Sequence, residues 1–298
     1  MQPSFFGPAS EQLFGAYHPP QEPTAAPDDA AATERRDCGV VLCYPVGEEY
    51  LSVNRAFHSL TRRLSQAGFP CLAFDFFGCG DSAGESADWR VEHWVRDVAL
   101  ATAHLERLGR VSRVCLVGLR FGAAVAMRAS PRIPDVAGLV LWEPVVKGAA
   151  YLDECRRRQK KWVQGCYGKP GDIDADGIDV LGFRFSSAFQ EDLGGVDLEA
   201  EVARPDTHVL LLHGGGHGAF GEQLVQGAQG AGQVECAEVE EETFWQKSED
   251  FSERGLVPRR SIDRLLDWLG RTFPAEPVRR GRPRPALKRD AAPPSDVI

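Results

Sequence analysis

The sequence predicts an α/β fold in which helices cover both faces of a mostly parallel central sheet. Short, continuous apolar runs recur along the chain, and stretches with helical periodicity separate them. Strands that are apolar on both sides are typical of parallel sheets buried between helices. The sequence contains no internal repeat of fixed period. We therefore expect one main domain, covering residues 1–273.

Each apolar or periodic stretch corresponds to one predicted element. We expect strands at 5–6, 13–17, 39–44, 71–76, 113–117, 136–142, 208–213 and 234–239. We expect helices at 51–67, 91–108, 121–129, 219–231 and 261–273. The last helix is amphipathic, because Ile262, Leu265, Leu266 and Leu269 share one face.

Three segments fall outside this alternation. Residues 18–36 are rich in Pro, Ala and Asp and predict an exposed loop, and residues 274–298 predict a disordered Pro/Arg-rich tail. A long insertion at about 147–206 follows the sixth strand-like run and contains helical patterns at 151–162 and 186–193, with a Gly/Asp-rich turn at 168–177. Open α/β sheets bind ligands at the carboxyl ends of their strands. We expect this insertion to form a helical lid there.

The charge balance limits the classes of molecule that this protein is expected to bind. The chain has 34 Lys and Arg against 43 Asp and Glu, a formal net charge of -9, which disfavours nucleic acid and anionic membranes. No apolar run approaches the roughly 20 residues of a membrane span, and the N-terminus has no leader pattern, so we predict a cytoplasmic protein. A small-molecule or peptidyl substrate is favoured, and a homo-oligomer is left open. The eight cysteines have no zinc spacing, so we expect no metal and no cofactor.

The segment Gly118-Leu119-Arg120-Phe121-Gly122 joins a predicted strand to a predicted helix. In a Gly-x-Ser-x-Gly nucleophile elbow, the glycines allow a tight turn that presents the central side chain above the sheet. Arg120 stands at that central position. A guanidinium stays protonated and cannot attack a carbonyl. The sequence therefore predicts the tight turn of a nucleophile elbow, but the residue at its centre cannot act as a nucleophile.

Three further segments accompany this turn: 44–50 (YPVGEEY), 74–84 (FDFFGCGDSAG) and 141–146 (LWEPVV). With the strand–helix order, they make the chain resemble the α/β-hydrolase superfamily. Within it, the chain is similar to a bacterial branch of serine-aminopeptidase-like hydrolases associated with exosortase systems. The resemblance runs from about Phe5 to Leu269, and its motifs are dense between Cys38 and Tyr151. It implies an α/β-hydrolase fold.

The resemblance also implies where the two partners of a nucleophile would lie. The acid would fall near 213–217, which contains no carboxylate, and the histidine near 244–246, which contains no histidine. Each role in such a triad needs its own residue type. We expect an atypical hydrolase, acyl transferase or non-hydrolytic enzyme that acts on an acyl or peptidyl intermediate of a bacterial biosynthetic pathway. The alternative is an inactive pseudo-hydrolase that binds a small molecule or a partner protein.

Arg120 and Glu49 are the first two candidate catalytic residues. Arg120 can bind a substrate carboxylate or phosphate through its planar set of donors. The alternative is an ion pair with Glu48, Glu49 or Glu143. Glu49 lies in the turn where this superfamily commonly builds part of its oxyanion hole. It can pair with Arg120 or accept a substrate proton.

Glu143 and His217 complete the catalytic candidates. Glu143 follows an apolar strand, and burial beside Trp142 would raise its pKa and suit it to acid–base work. The alternative is that it neutralises Arg120. His217 lies in a Gly-rich turn after the strand 208–213 and is the best-placed histidine for a general base. Its alternative is an exposed loop histidine.

The remaining candidates flank these residues. We expect the substrate to contact Tyr44, Val46, Gly47, Glu48, Phe121, Trp142 and Trp245. A replacement nucleophile is a weaker alternative. The candidates are Ser82 in the Gly-rich loop after the strand at 71–76, and Cys43 and Cys79 at or near strand ends. We interpret Ser82 mainly as a turn-capping residue.

Overall fold

The computed structural model describes residues 1–21, 34–167, 177–201, 203–227, 233–246 and 256–277. Its strands are β1 Gln2–Phe6, β2 Leu13–His18, β3 Glu34–Arg35, β4 Cys38–Cys43, β5 Cys71–Phe74, β6 Arg113–Leu119, β7 Val136–Trp142, β8 Gly177–Val180, β9 Phe183–Ser186, β10 His208–His213, β11 Val234–Glu238 and β12 Glu276–Pro277. Its α-helices are α1 Glu48–Gln66, α2 Val91–Gly109, α3 Phe121–Ala129, α4 Gly148–Tyr167, α5 Ser187–Gly194, α6 Gly218–Gly227 and α7 Arg259–Thr272.

The central sheet has eight strands in the order β1-β2-β5-β4-β6-β7-β10-β11. The six strands from β5 to β11 in this order pair in parallel, and β1 and β2 extend the sheet antiparallel at one edge. The prediction of a mostly parallel sheet is confirmed. The carboxyl ends of the parallel strands therefore meet at one edge, where the loops that follow them can build a common site.

Helices cover both faces of this sheet. Along β4, Val40 and Leu42 pack into the apolar layer beneath α1 and α7, whereas Val41 and Cys43 pack into the layer beneath α2 and α3. Successive side chains of a strand point to opposite faces, so a strand buried on both sides must be apolar at every position. This explains why the predicted strands read as continuous apolar runs.

Helix α1 begins at Glu48 and not at the predicted position 51. Gly47, with a φ of 65°, turns the chain directly into the helix. Glu48 and Glu49 consequently occupy the first turn of α1, where the partial positive charge of a helix N-terminus favours carboxylates. The structure thus assigns both glutamates to a rigid helical turn at the carboxyl edge of the sheet and not to a preceding loop.

The segment between β7 and β10 contains more than the two predicted helices. Strands β8 and β9 form an antiparallel hairpin between α4 and α5. Near the C-terminus, β12 pairs antiparallel with β3, so residues 276–277 of the predicted disordered tail have a defined backbone. Residues 278–298 of that tail, most of the predicted 18–36 loop and most of the predicted 168–177 turn lie outside the described residues.

Candidate functional site at the carboxyl edge of the sheet

Arg120 forms the turn between β6 and α3. Its backbone has a φ of 54° and a ψ of -120°, a conformation that costs energy for a residue with a side chain. Its N–H donates to the carbonyl of Trp142 at 2.9 Å, and its own carbonyl accepts from the N–H of Val145 at 3.2 Å. These bonds tie the turn to the end of β7. The strained backbone holds the Arg120 side chain above the sheet edge.

The Arg120 guanidinium lies between two carboxylates and two aromatic rings. Its Nε is 3.3 Å from Oε1 of Glu49, and its Nη2 is 3.1 Å from Oε2 of Glu154. The guanidinium carbon is 5.4 Å from the ring centres of both Tyr151 and Trp245. Only 11% of the side chain is exposed. Ion pairing and cation–π contacts thus compensate this buried charge.

Glu49 is the most deeply buried carboxylate of the site, with 1% of its side chain exposed. Its Oε2 accepts a hydrogen bond from the Tyr151 hydroxyl at 3.1 Å, and Oε1 is 3.7 Å from Nη1 of Arg158. Burial raises the pKa of Glu49 to about 7, although Arg120 and Arg158 both act to lower it. Glu49 can therefore gain or lose a proton near neutral pH.

One face of α4 supplies the other side of the site. Tyr151, Glu154 and Arg158 are three and four residues apart, a spacing that brings side chains together on a helix. Arg158 forms an ion pair with Glu48, and Gln246 donates to Oε1 of Glu154 at 2.8 Å. Helix α4 thereby covers Arg120. We call Arg120, Glu48, Glu49, Tyr151, Glu154 and Arg158 the arginine cluster.

The sequence analysis missed four residues of this environment: Tyr151, Glu154, Arg158 and Gln246. A signal was present, because the predicted helix at 151–162 carries a hydroxyl, a carboxylate and a guanidinium along one face. Of the expected partners of Arg120, the structure confirms the ion pair with Glu49. Glu48 pairs instead with Arg158, because both side chains lie on the α1 side of α4.

Glu143 lies at the end of β7 with a φ of 45° and has a different partner from the one expected. Its Oε1 accepts the Gly214 N–H at 2.6 Å, and its Oε2 is 4.0 Å from Nδ1 of His217. Burial raises the pKa of Glu143. The backbone of the turn after β10, and not Arg120, thus supplies its hydrogen bond.

His217 is only 18% exposed, so it is not a fully exposed loop histidine. Its Nε2 is 3.1 Å from the carbonyl of Pro144, and its Nδ1 is 3.0 Å from the carbonyl of Gly215. These contacts hold the ring beside Glu143. The structure therefore brings two predicted catalytic residues together as a Glu143–His217 pair, next to but separate from the contacts of the arginine cluster.

The predicted substrate-contacting residues lie in three places. Phe121 stacks on Tyr151 with ring centres 6.1 Å apart, and Trp245 packs on Arg120, so both line the arginine cluster. Trp142 instead packs on Phe244 within the core layer of α1 and α7. The other four residues lie along the turn from β4 to α1. Tyr44 packs against Phe57, and Val46 lies in the core layer beneath α2 and α3. Gly47 lies beside Phe185, and Glu48 forms its ion pair with Arg158.

The alternative nucleophiles have structural roles. The Ser82 hydroxyl accepts the Phe14 N–H at 2.9 Å and donates to the Asp75 carbonyl at 2.7 Å, which ties the loop after β5 to strand β2. Burial raises the pKa of the Cys43 and Cys79 thiols. A thiol must ionise to attack efficiently. None of the three side chains therefore has the environment of an activated nucleophile.

The described residues contain no group of three or more His, Cys, Asp or Glu side chains arranged to hold a metal ion. None of the helices in the described ranges is long and apolar enough to cross a membrane.

Comparisons with known proteins identify the fold. A family model described as serine aminopeptidase, S33, matches residues 48–170, and no curated protein matches the chain. A soluble variant of monoglyceride lipase from Saccharomyces cerevisiae, in complex with a substrate analog, has a TM-score of 0.61 at 12% identity over 91% of this chain and 95% of its own. Proline iminopeptidase from Mycobacterium smegmatis has a TM-score of 0.59 at 11% identity over 91% and 98%.

A solved structure from Agrobacterium vitis S4 is similar too, with a TM-score of 0.54 at 17% identity over 91% of this chain and 98% of its own. With the sheet order and the family match, these similarities show that the protein has the α/β-hydrolase fold. Its segment 48–170 is similar to the serine aminopeptidases of the S33 type. At these identities the solved structures establish the fold alone, and the activity must be argued from the site.

Proposed function

We propose that this α/β-hydrolase-fold protein binds an acyl or peptidyl ligand through a carboxylate, without forming a covalent acyl intermediate. The observation that carries the proposal is the position of Arg120. A guanidinium stands at the strained turn where the resemblance calls for a nucleophile, and it already holds two carboxylates of its own chain. Arginine suits this role because its planar set of donors matches a carboxylate.

Glu154 supports the proposal because its carboxylate occupies the place on Arg120 that a ligand carboxylate would take. It reaches Arg120 from α4, and 31% of its side chain is exposed, against 1% for Glu49. Both Glu154 oxygens lie within 3.3 Å of Nη2 of Arg120. A ligand carboxylate can take this place if α4 shifts outward. Glu49 would then remain as the permanent partner of Arg120.

Trp245 supplies a second donor near Arg120. Its Nε1 is buried and has no hydrogen-bond partner among the described residues. A buried donor without a partner costs free energy, and such groups often mark sites that a ligand completes. An acceptor on the ligand would satisfy it. The neighbouring rings of Phe121 and Tyr151 offer an apolar surface for an acyl chain or an aromatic side chain.

The pathway, the cellular location and the lid are part of the same proposal. The resemblance to exosortase-associated hydrolases supports an intermediate of a bacterial biosynthetic pathway as the ligand. A cytoplasmic location is part of the proposal as well. The ion pairs from α4 to α1 support a lid role for the insertion at 147–206. Opening this lid would exchange the contacts of Glu154 and Arg158 for contacts with ligand or water.

A specific observation also favours a non-hydrolytic enzyme. Burial raises the pKa of Glu49 to about 7, the value that suits a general acid or base at neutral pH. Tyr151 donates to Glu49 and can connect it to a bound ligand. Under this second proposal, Arg120 orients the substrate carboxylate while Glu49 moves a proton. The Glu143–His217 pair would support the loop beside the substrate.

Carboxylate binding can be tested with N-acetyl-L-phenylalanine and, as its uncharged match, N-acetyl-L-phenylalanine amide. We expect calorimetric titration to detect the acid and not the amide. Glu154→Gln should tighten binding of the acid about tenfold, because it removes a competing charged hydrogen bond of roughly 1.5 kcal/mol. Arg120→Lys should weaken binding by a similar factor, because the planar donor set is lost.

Asp153→Asn is the matched control, since Asp153 is the exposed neighbour of Glu154 on α4. It should leave the affinity unchanged. Equal affinity for acid and amide, or no effect of Glu154→Gln, would refute carboxylate recognition at Arg120. Conversion of the bound compound that disappears in Glu49→Gln while binding persists would favour the second proposal.

Serine-hydrolase chemistry should be absent. We expect a fluorophosphonate probe to leave the wild-type protein unlabelled and p-nitrophenyl acyl esters to remain unhydrolysed, because Arg120 provides no nucleophile and the Ser82 hydroxyl is engaged in two hydrogen bonds. Intact-mass spectrometry, with a serine esterase labelled in parallel, checks this. Stoichiometric labelling of any serine would contradict the proposed function.

A further inference from the structure

We propose that a groove between α1 and α7, separate from the arginine cluster, binds a small ligand that carries a diphosphate. The groove has a volume of about 540 Å³. Its charged and titratable lining consists of Arg55, His58, Arg62, Arg63, Arg259 and Asp263. Four arginines against one aspartate form a strongly cationic concavity on a chain whose formal net charge is -9. We call this the arginine groove.

On the α1 side of the groove, the helix sequence itself contributes no acidic residue. Residues 50–66 contain no Asp or Glu, in a chain that has 43 of them in 298 residues. Arg55, His58 and Arg62 follow one another at intervals of three and four residues, so they share one face of α1. This face therefore presents two guanidinium groups and one imidazole to the groove.

The α7 side has an arginine where helices disfavour one. Arg259 is the first residue of α7, and the first turn of this helix contains no acid. Cations at a helix N-terminus oppose the helix dipole. The backbone N–H groups of Arg260 and Ser261 already donate to the Glu241 carboxylate, so the ligand would be bound by side chains and not by the helix amides.

An ion pair fixes the width of the groove. Nη2 of Arg63 is 2.6 Å from Oδ1 of Asp263, which joins α1 to α7. Within the described part of the chain, no carboxylate forms an ion pair with Arg62 or Arg259, and both residues are exposed. The groove thus combines a fixed wall with at least two guanidinium groups that can turn toward a ligand.

The size and the donors select the ligand class. A volume of about 540 Å³ is within the range of small-molecule sites. Guanidinium groups bind phosphate oxygens through paired hydrogen bonds, and several such groups favour an anion with several charges close together. A diphosphate meets both requirements. An acidic protein surface is a different occupant, and the experiment distinguishes it.

The test is calorimetric titration of the full chain with inorganic pyrophosphate at low ionic strength. We expect one saturable site. Arg62→Gln and Arg259→Gln should each weaken pyrophosphate binding about tenfold, because each removes a charge-assisted hydrogen bond. Arg204→Gln is the control for overall charge, because Arg204 lies outside the groove, is partly exposed and pairs with Asp206. It should bind pyrophosphate like the wild type.

Arg120→Lys separates this site from the carboxylate site and should leave pyrophosphate binding unchanged. No detectable binding, equal weakening by Arg204→Gln, or loss of binding in Arg120→Lys would each overturn the proposal. Binding of a poly-glutamate peptide without binding of pyrophosphate would overturn it as well and would identify a protein-docking surface. Thermal unfolding of every variant confirms that the fold is intact.

Discussion

Arg120→Met is expected to lower the free energy of unfolding by about 3 to 5 kcal/mol at pH 8, the range observed when one partner of a buried ion pair is removed. Methionine fills much of the same space, so loss of packing contributes little. The cost arises because the Glu49 carboxylate, with 1% of its side chain exposed, loses its closest cation. Arg158 remains at 3.7 Å and is shared with Glu48.

The loss should depend on pH. In the wild type, burial raises the pKa of Glu49 from 4.5 to about 7. In the variant, loss of the Arg120 charge raises this pKa further, because the cation favoured the ionised carboxylate. As pH rises above 4.5, the unfolded chain releases this proton first, so stability falls until pH exceeds the folded-state pKa. The variant should therefore be most destabilised at pH 8 and less so at pH 5.

Urea unfolding at both pH values measures this effect, and two further variants serve as controls. Arg120→Met combined with Glu49→Gln should recover most of the stability at pH 8, because the carboxylate that needs a cation is gone. Arg156→Met, on the exposed face of the same α4 helix, should change stability by less than about 0.5 kcal/mol. A loss that is equal at pH 5 and pH 8, or that persists in the double variant, would contradict a buried ion pair as its cause.

The sequence determines most of the fold through local patterns. The bounds predicted for α3, β7 and β10 agree with the structure, because each is a continuous apolar stretch bounded by residues that break the pattern. The start of α1 could not be predicted from apolar periodicity. Its first turn is polar and depends on the positive φ of Gly47. The hairpin β8–β9 was missed because its short strands, GIDV and FRFS, mix polar and apolar residues and form no continuous apolar run.

Only part of the candidate site could be predicted from the sequence. Arg120 and Glu49 lie in motifs with a defined place relative to β6 and β4, so their positions at the sheet edge follow from the fold. Glu154 lies 34 residues from Arg120 in sequence, and its contact depends on the direction in which α4 crosses that edge. Helical periodicity indicates which residues share a face but not what the face contacts. Tertiary packing therefore determined the identity of the second carboxylate.

Gly122→Ala is expected to destabilise the protein by about 3 kcal/mol or more, through a backbone collision next to the site. A Cβ at this position would lie 2.3 Å from the carbonyl oxygens of both Cys43 and Tyr44. Neither oxygen can rotate away, because both belong to the backbone at the end of β4. Helix α3 would have to move outward, and the turn at Arg120 that immediately precedes it would move as well.

Gly270→Ala is the matched control, because it adds the same methyl group to a helix. Apart from the adjoining residues and the backbone of α7 itself, no atom of the described residues lies within 4 Å of a Cβ at Gly270, so this variant should be stabilised by up to about 1 kcal/mol, the helical advantage of alanine over glycine. Urea unfolding should thus give opposite signs for two identical substitutions. Any Gly122→Ala protein that remains folded should also lose binding of N-acetyl-L-phenylalanine, since Arg120 is displaced. Wild-type stability and wild-type binding in Gly122→Ala would show that the contact between α3 and β4 does not position Arg120.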